Sequence, residues 1–506
     1  MHPALGNLEI VCIISSYTQR RSLPALASTC RAFEHPALDA LWRDLQSIQP
    51  LVKCLPSDLF SIDKGPMVLQ KPLDRKMWDT LFKYTSRVHS ITVPESGYRD
   101  DRTFILPVTV LMLSCPSTPA SLFPNLRKLT WRAEGIADFL RMALVPSILV
   151  LDMQISSAAP PAFLSVLSSL GTLCPHLQNM TITVNARYRL PDDLLGKFSS
   201  FIIQPIPQLH HLHTLSVWDL GNEGIEHLMQ LRALQSLRLD LGTSSAWDTK
   251  SPLQFPGFHD LKLLGLCTST LQHASNFLSS LQVVRSKELE VRYTSRSESS
   301  SASAYTALSE FFTILQEKCD NDRLEFFSLR GVSGQIPTVP SVLTPLHACR
   351  NLTRLVIERV CDISMSDEEL CQLVGGWPKL QVLKISNYVT LGSTTIPTFH
   401  GLISLLQLCP ALTSLGLVID TTELDGIDLK RPGGGSYNPH LKFLAFGNSP
   451  IESPVDVALV LSGLFPYLKQ VNLDCWDTSS KKMERWTSVN SILDGFRVLE
   501  GRLIGT

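Results

Sequence analysis

"CPALTSLGLVI" (residues 409–419) is the stretch that decides the architecture. Leu412, Leu415 and Leu417 follow one another in the order L-x-x-L-x-L, behind a proline that ends whatever helix comes before it. Apolar residues at alternate positions turn one face of a strand inward, and the residues between them face outward. The same phrase returns as "FPNLRKLTW" (123–131), "CPHLQNMTITV" (174–184), "WPKLQVLKI" (377–385) and "FPYLKQVNL" (465–473). Weaker copies lie at 145–153, 209–217, 231–241, 255–266, 321–329, 349–357 and 438–446, and "SRVHSITV" (86–93) and "SKELEVRY" (286–293) fit loosely.

Aligning the first apolar residue of each phrase gives positions 126, 148, 177, 212, 234, 261, 289, 324, 352, 380, 412, 441 and 468, with gaps of 22 to 35. That spacing is close to the leucine-rich-repeat period. Between the phrases lie stretches such as "FHGLISLLQLCP" (399–410) and "VDVALVLSGLFP" (455–466), apolar at i, i+3 and i+4 as in an amphipathic helix. One strand and one helix cannot bury their apolar faces alone, so the units must stack. The predicted fold is therefore α/β: a leucine-rich-repeat solenoid with a parallel β ladder on the concave side and helices on the convex side. It is expected to span 86–480 in about 13–14 irregular repeats. A capping helix over 481–506 is expected to cover the open end with Val489, Ile492, Phe496 and Leu499. The Ser-rich stretch 294–305 reads as an insertion loop. "RPGGGSYNPH" (431–440) lacks the Lys-Ser/Thr of a phosphate loop and precedes a strand, which argues against nucleotide binding.

Composition narrows the function classes. The chain has 506 residues, 44 % hydrophobic and 18 % charged, which is enough apolar surface for packed cores. With 45 basic and 46 acidic residues there is no net field to draw in nucleic acid or an anionic membrane. The run "FILPVTVLML" (104–113) has about half the length a membrane span needs. The N-terminus lacks a basic segment before its apolar part, and twelve cysteines occur without a C-x-x-C. Reduced thiols in a cytoplasmic or nuclear protein are the expectation. No catalytic line is found: there is no H-E-x-x-H, G-x-S-x-G or phosphate-binding loop, so neither an enzyme nor a cofactor is expected. His211 and His213 share a strand face, but no third ligand at a suitable spacing joins them, and no metal site is expected.

Residues 1–45 do not carry the repeat. They read as three short helices, Leu8–Tyr17, Ser22–Cys30 and Pro36–Leu41. Ile10, Ile13, Ile14 and Tyr17 share one face of the first, and Leu23, Leu26, Ala27 and Cys30 share one face of the second. A helical linker is expected over 46–85. "LEIVCIISSYTQRRSLPALASTCRAFEHPALDALWRDL" (8–45) resembles an F-box. Glu9-Ile10, Ile13-Ile14, Ser22-Leu23, Leu26, Thr29-Cys30-Arg31, Phe33 and Leu41-Trp42 match the family line in order and spacing. Asn7-Leu8, Thr18 and Arg20-Arg21 differ from it. The whole chain is similar in arrangement to fungal F-box proteins with degenerate leucine-rich repeats.

The resemblance implies a substrate-recognition subunit of an SCF-type E3 ubiquitin ligase. Its F-box would bind a Skp-type linker subunit, and through it a cullin, using Leu8, Ile10, Ile13, Ile14, Leu23, Leu26, Leu38 and Trp42. The repeats would hold a target protein. Among outward positions of the strands, arginine and aromatic residues are the usual interface anchors. That selects Arg132, Trp218, Arg238, Phe326, Arg330 and Arg354 as target-binding candidates. The alternative is a leucine-rich scaffold that uses its N-terminal helices for stability alone and joins no ligase.

Overall fold

The computed structural model describes residues 6–61, 68–94, 109–110, 114, 122–132, 137–155, 161–184, 192–242, 255–258, 261–294, 301–331, 336–385, 395–473 and 481–504. Half of the Ser-rich insertion (295–300) and most of the apolar run 104–113 lie outside them; residues 301–305, expected in the insertion loop, instead begin the helix Ser301–Lys318. The chain divides into two compact units, Met1–Leu234 and Gln235–Thr506.

In the first unit three helices, α1 (Leu8–Tyr17), α2 (Leu23–Thr29) and α3 (Arg31–Trp42), lead into a parallel ladder. Its strands are β1 (Asp44–Leu45), β2 (Ser90–Val93), β3 (Lys128–Trp131), β4 (Val150–Ile155), β5 (Asn179–Val184) and β6 (Thr214–Trp218), each paired with the next. The second unit repeats the plan with β7 (Ser236–Asp240), β8 (Leu263–Thr268), β9 (Glu288–Tyr293), β10 (Phe326–Gly331), β11 (Arg354–Glu358), β12 (Val382–Ile385), β13 (Ser414–Leu417) and β14 (Phe443–Ala445). Helices alternate with the strands, among them Asp192–Ile203 in the first unit and Phe399–Leu408 and Pro454–Leu464 in the second. Parallel neighbours require such crossovers. This is an α/β leucine-rich-repeat fold.

The phrase accounts for the packing. All thirteen aligned apolar positions are buried, and at every one but Leu289 so is the residue three further on: Leu129, Leu151, Met180 and Leu215 in one unit, Leu237, Leu264, Phe327, Leu355, Leu383, Leu415, Leu444 and Val471 in the other. At most turns, the carbonyl just after the first apolar residue accepts two successive N–H groups from the next repeat. Arg127 O, for instance, receives Leu149 N and Val150 N, and Gln381 O receives Thr413 N and Ser414 N. This pair of hydrogen bonds fixes the register before the strand begins. In the phrases at 174, 409 and 465 the residue before the proline is intermediate in φ/ψ, as steric exclusion by the proline ring favours. Cys174, Cys409 and Phe465 end helices in that way.

Several sequence expectations need correction. Leu289 pairs with Leu264 in the middle row, so the first inward position of that repeat is Ser286, three residues earlier. Ser286 is buried, and its hydroxyl has no partner. The ladder also starts earlier than the phrase suggests. Arg43 O accepts both His89 N and Ser90 N, so Trp42-Arg43-Asp44-Leu45 occupies the same geometry as every later phrase, with Trp42 at its first apolar position. Helix α3 begins at Arg31 rather than Pro36; the proline sits buried within it.

At the far end, Val471 meets Leu444 through an isolated parallel bridge and is covered by the helix Lys481–Ile504. Trp486, Val489 and Leu493 form its buried face, and Trp486 Nε1 donates to Ser449 O at 3.3 Å. Leu499 is exposed and Ile492 and Phe496 only partly buried, so the apolar face is one step away from the expected one. Asn490 receives Val471 N at 2.8 Å and donates to Val471 O at 2.9 Å, satisfying both backbone groups of Val471 on the side where no further strand is found among the described residues.

Candidate functional site

Helix α1 starts at Asn7, whose side chain accepts Glu9 N at 2.9 Å, and the Glu9 carboxylate lies in the first turn where the helix dipole favours it. Only Val11 and Ser15 are buried in it, the Ser15 hydroxyl being returned to Val11 O at 2.8 Å. Ile10, Ile13, Ile14 and Tyr17, at helical spacing, form a stripe beside that buried line and not on it. Ile13 is 50 % exposed and Tyr17 89 %, while Ile10 and Ile14 are half-buried; Leu8, at the helix start, is 67 % exposed. Large apolar side chains left together at a surface mark a place for a partner.

The other residues implied by the F-box resemblance divide differently. Leu23 is buried in the small core with Phe33 and Ala37, and Leu26 and Leu38 are half-buried. Trp42 is half-buried and stacks on Tyr84 of the helix Arg75–Thr85, ring centroids 4.6 Å apart and 25° from parallel. Arg87 reaches back to α3: one nitrogen pairs with the Asp39 carboxylate and another meets His35 Nδ1 at 2.9 Å. Helix α3 is therefore fastened to the ladder on one side while α1 keeps its stripe outside.

The ladder face of the second unit is ordered by its register. Three outward rows cross the strands. One runs Ser236, Leu263, Glu288, Phe326, Arg354, Val382, Ser414, Phe443; the next runs Arg238, Gly265, Glu290, Ser328, Val356, Lys384, Gly416, Ala445; the third runs Asp240, Cys267, Arg292, Arg330, Glu358. Long cations lie flat along this face. Arg238 passes over Gly265 to reach Glu290 at 3.0 Å. A Cβ on Gly265 would stand 2.8 Å from Arg238 Cγ, so the missing side chain is what opens the route. Lys384 crosses Gly416 in the same way, its ammonium 4.3 Å from the Phe443 ring. Arg330 Nε pairs with Glu358 at 3.3 Å, and in the first unit Arg132 pairs with Asp152 at 3.7 Å.

Two of the six target-binding candidates are not presented to solvent. Trp218 is 4 % exposed, because its ring turns toward the helix Asp192–Ile203, where Nε1 donates to Ser199 Oγ at 3.0 Å. Phe326 is 6 % exposed beneath the Arg354 guanidinium, which sits 4.4 Å from the ring centre. Arg132, Arg330 and Arg354 are exposed and Arg238 is half-exposed. Arg292, a further exposed outward residue, escapes a reading of the sequence because its strand fits the phrase only loosely.

The thiols Cys174 and Cys409, which end repeat helices before prolines, are poor nucleophiles. Burial pushes Cys174 up to about 12 and Cys409 up to about 11. Each Sγ instead donates to the carbonyl of the matching position one repeat back, Cys174 to Val145 at 3.6 Å and Cys409 to Trp377 at 3.7 Å. His211 meets His176, ring centroids 5.6 Å apart. Among the described residues no group of three or more His, Cys, Asp or Glu is placed to hold a metal ion, and no helix is long and apolar enough to cross a membrane.

No family model matches the chain, and no characterised protein matches it by sequence. Solved structures resembling it include the leucine-rich repeat-containing protein LegL7 from Legionella pneumophila, 14 % identical with a TM-score of 0.29, over 61 % of this chain and 86 % of that one. Another is TLR13 in its complex with ssRNA13, 12 % identical with a TM-score of 0.32, over 82 % of this chain and 63 % of that one.

Proposed function

We propose that the protein is a substrate-recruiting subunit of an SCF-type ubiquitin ligase. Helices α1–α3 dock on a Skp-type linker subunit, and the ladder faces hold a target protein. The observation that carries this reading is the surface stripe Ile10, Ile13, Ile14 and Tyr17 on α1. A helix kept only for stability would turn that stripe inward, since burying an Ile or Leu side chain contributes about 1.5–3 kcal/mol. The match of residues 8–45 to the F-box line supports the same reading, and Leu8 and the half-buried Leu26 and Leu38 belong to the proposed contact. Trp42 serves it indirectly, by fastening α3 to the helix Arg75–Thr85.

The test is capture of the full-length chain by purified Skp-type linker subunit. Capture by the wild type, lost in Ile13→Asp and Tyr17→Asp without a change in melting temperature, is the expected result. No capture of the wild type overturns the reading, and the three helices then serve only as the start of a leucine-rich scaffold.

A further inference from the structure

Arg292 and Arg330 are register partners on adjacent strands β9 and β10. Parallel strands lie about 4.8 Å apart, and like charges placed directly opposite repel. The ladder elsewhere neutralises its long cations with a carboxylate or a ring, as at Arg238, Lys384 and Arg354. Here only half of that is done. Glu358 takes Arg330 from the β11 side, Nε at 3.3 Å, and no carboxylate meets the pair from between the two arginines among the described residues. Arg292 is exposed and has no ion pair among them. The floor beside this pair is low, with Ser328 and Val356 buried in the neighbouring row.

We infer that the Arg292–Arg330 pair is a docking point for an acidic peptide segment lying across β9–β11, whose carboxylate is gripped by the two guanidinium groups. Planar guanidinium forks suit carboxylates, and charge-assisted bonds of this kind are among the stronger ones. RNA suits the face less well than a carboxylate-bearing peptide, because Phe326, the aromatic of this face on the same strand as Arg330, is covered by Arg354 and offers no platform for base stacking. The inference rests on the target-binding half of the proposed function and not on its linker-binding half.

The probe is fluorescein-labelled hexaglutamate, titrated at low salt against the full-length protein by fluorescence anisotropy. Arg292→Gln and Arg330→Gln should each weaken binding roughly tenfold or more, while Lys197→Gln, on a helix of the first unit, leaves it unchanged. Both arginine side chains are exposed, so the variants should melt with the wild type; Arg330→Lys, which keeps a cation beside Glu358, should fall between. Absence of hexaglutamate binding, binding by both Gln variants as tight as that of the wild type, or tighter binding of a labelled decauridine RNA would overturn the inference. Because the assay contains no linker subunit, its failure leaves capture by that subunit standing, and the reverse holds too.

Discussion

The first and last helices of the chain carry similar material to opposite ends. Helix α1 reads LEIVCIISSY and Lys481–Ile504 carries Trp486, Val489 and Leu493 at helical spacing. The last helix turns those three residues inward and closes the ladder edge with Asn490. The first helix buries Val11 and Ser15 and keeps Ile13 and Tyr17 outside. Position at the end of a repeat array accounts for one of these helices and not for the other. A cap needs a single apolar face and a means to satisfy the edge. An apolar stripe in addition to the buried line is surplus to that purpose and points to a partner.

Substitutions break or sharpen the contrast. The largest effect belongs to Trp486→Ala. Removing a fully buried Trp should cost about 3–5 kcal/mol, read as a drop in the midpoint of denaturant unfolding; an unchanged midpoint would mean that the last helix is no cap. Trp42→Ala comes next. Its ring is half-buried and stacked on Tyr84, so the loss should be about 2 kcal/mol, accompanied by loosened protection of α3 in hydrogen exchange. Asn490→Leu leaves Val471 N and O unpaired at the cost of about 1–3 kcal/mol. It should also raise light scattering at high concentration, since an open strand edge invites pairing. Ile13→Ser, by contrast, should move stability by no more than about 0.5 kcal/mol. A much larger loss would show that the α1 stripe is core after all and remove the distinction between the two helices.

The repeats are legible in the sequence because a leucine three residues ahead of a period-two run, returning at gaps of 22 to 35, is what a stack of strands requires and what an isolated strand does not. Where legibility fails, a neighbour in space makes the difference. Ser286 occupies an inward position where the phrase calls for a leucine, which shifts the apparent alignment of that repeat by three residues. The phrase at Trp42 is hidden because the same residue also ends α3. Trp218 and Phe326 alternate as outward residues should, yet Ser199 on a helix and Arg354 on the adjoining strand remove them from solvent. The α1 face is plain in the spacing of Ile10, Ile13, Ile14 and Tyr17. What the sequence does not contain is that the line formed by Val11 and Ser15, one residue along, is the one that packs.

A stack of similar strands has no built-in length, since each edge offers the next copy the same groups it would itself accept. A side-chain amide carries a C=O and an N–H like those of a peptide bond. Asn490 presents both to Val471 and so impersonates the strand that would come next. In this way one residue closes the strand edge at Val471. Repeats can be gained or lost by recombination within the ladder, but a repeat added after Val471 would first have to displace this counterfeit.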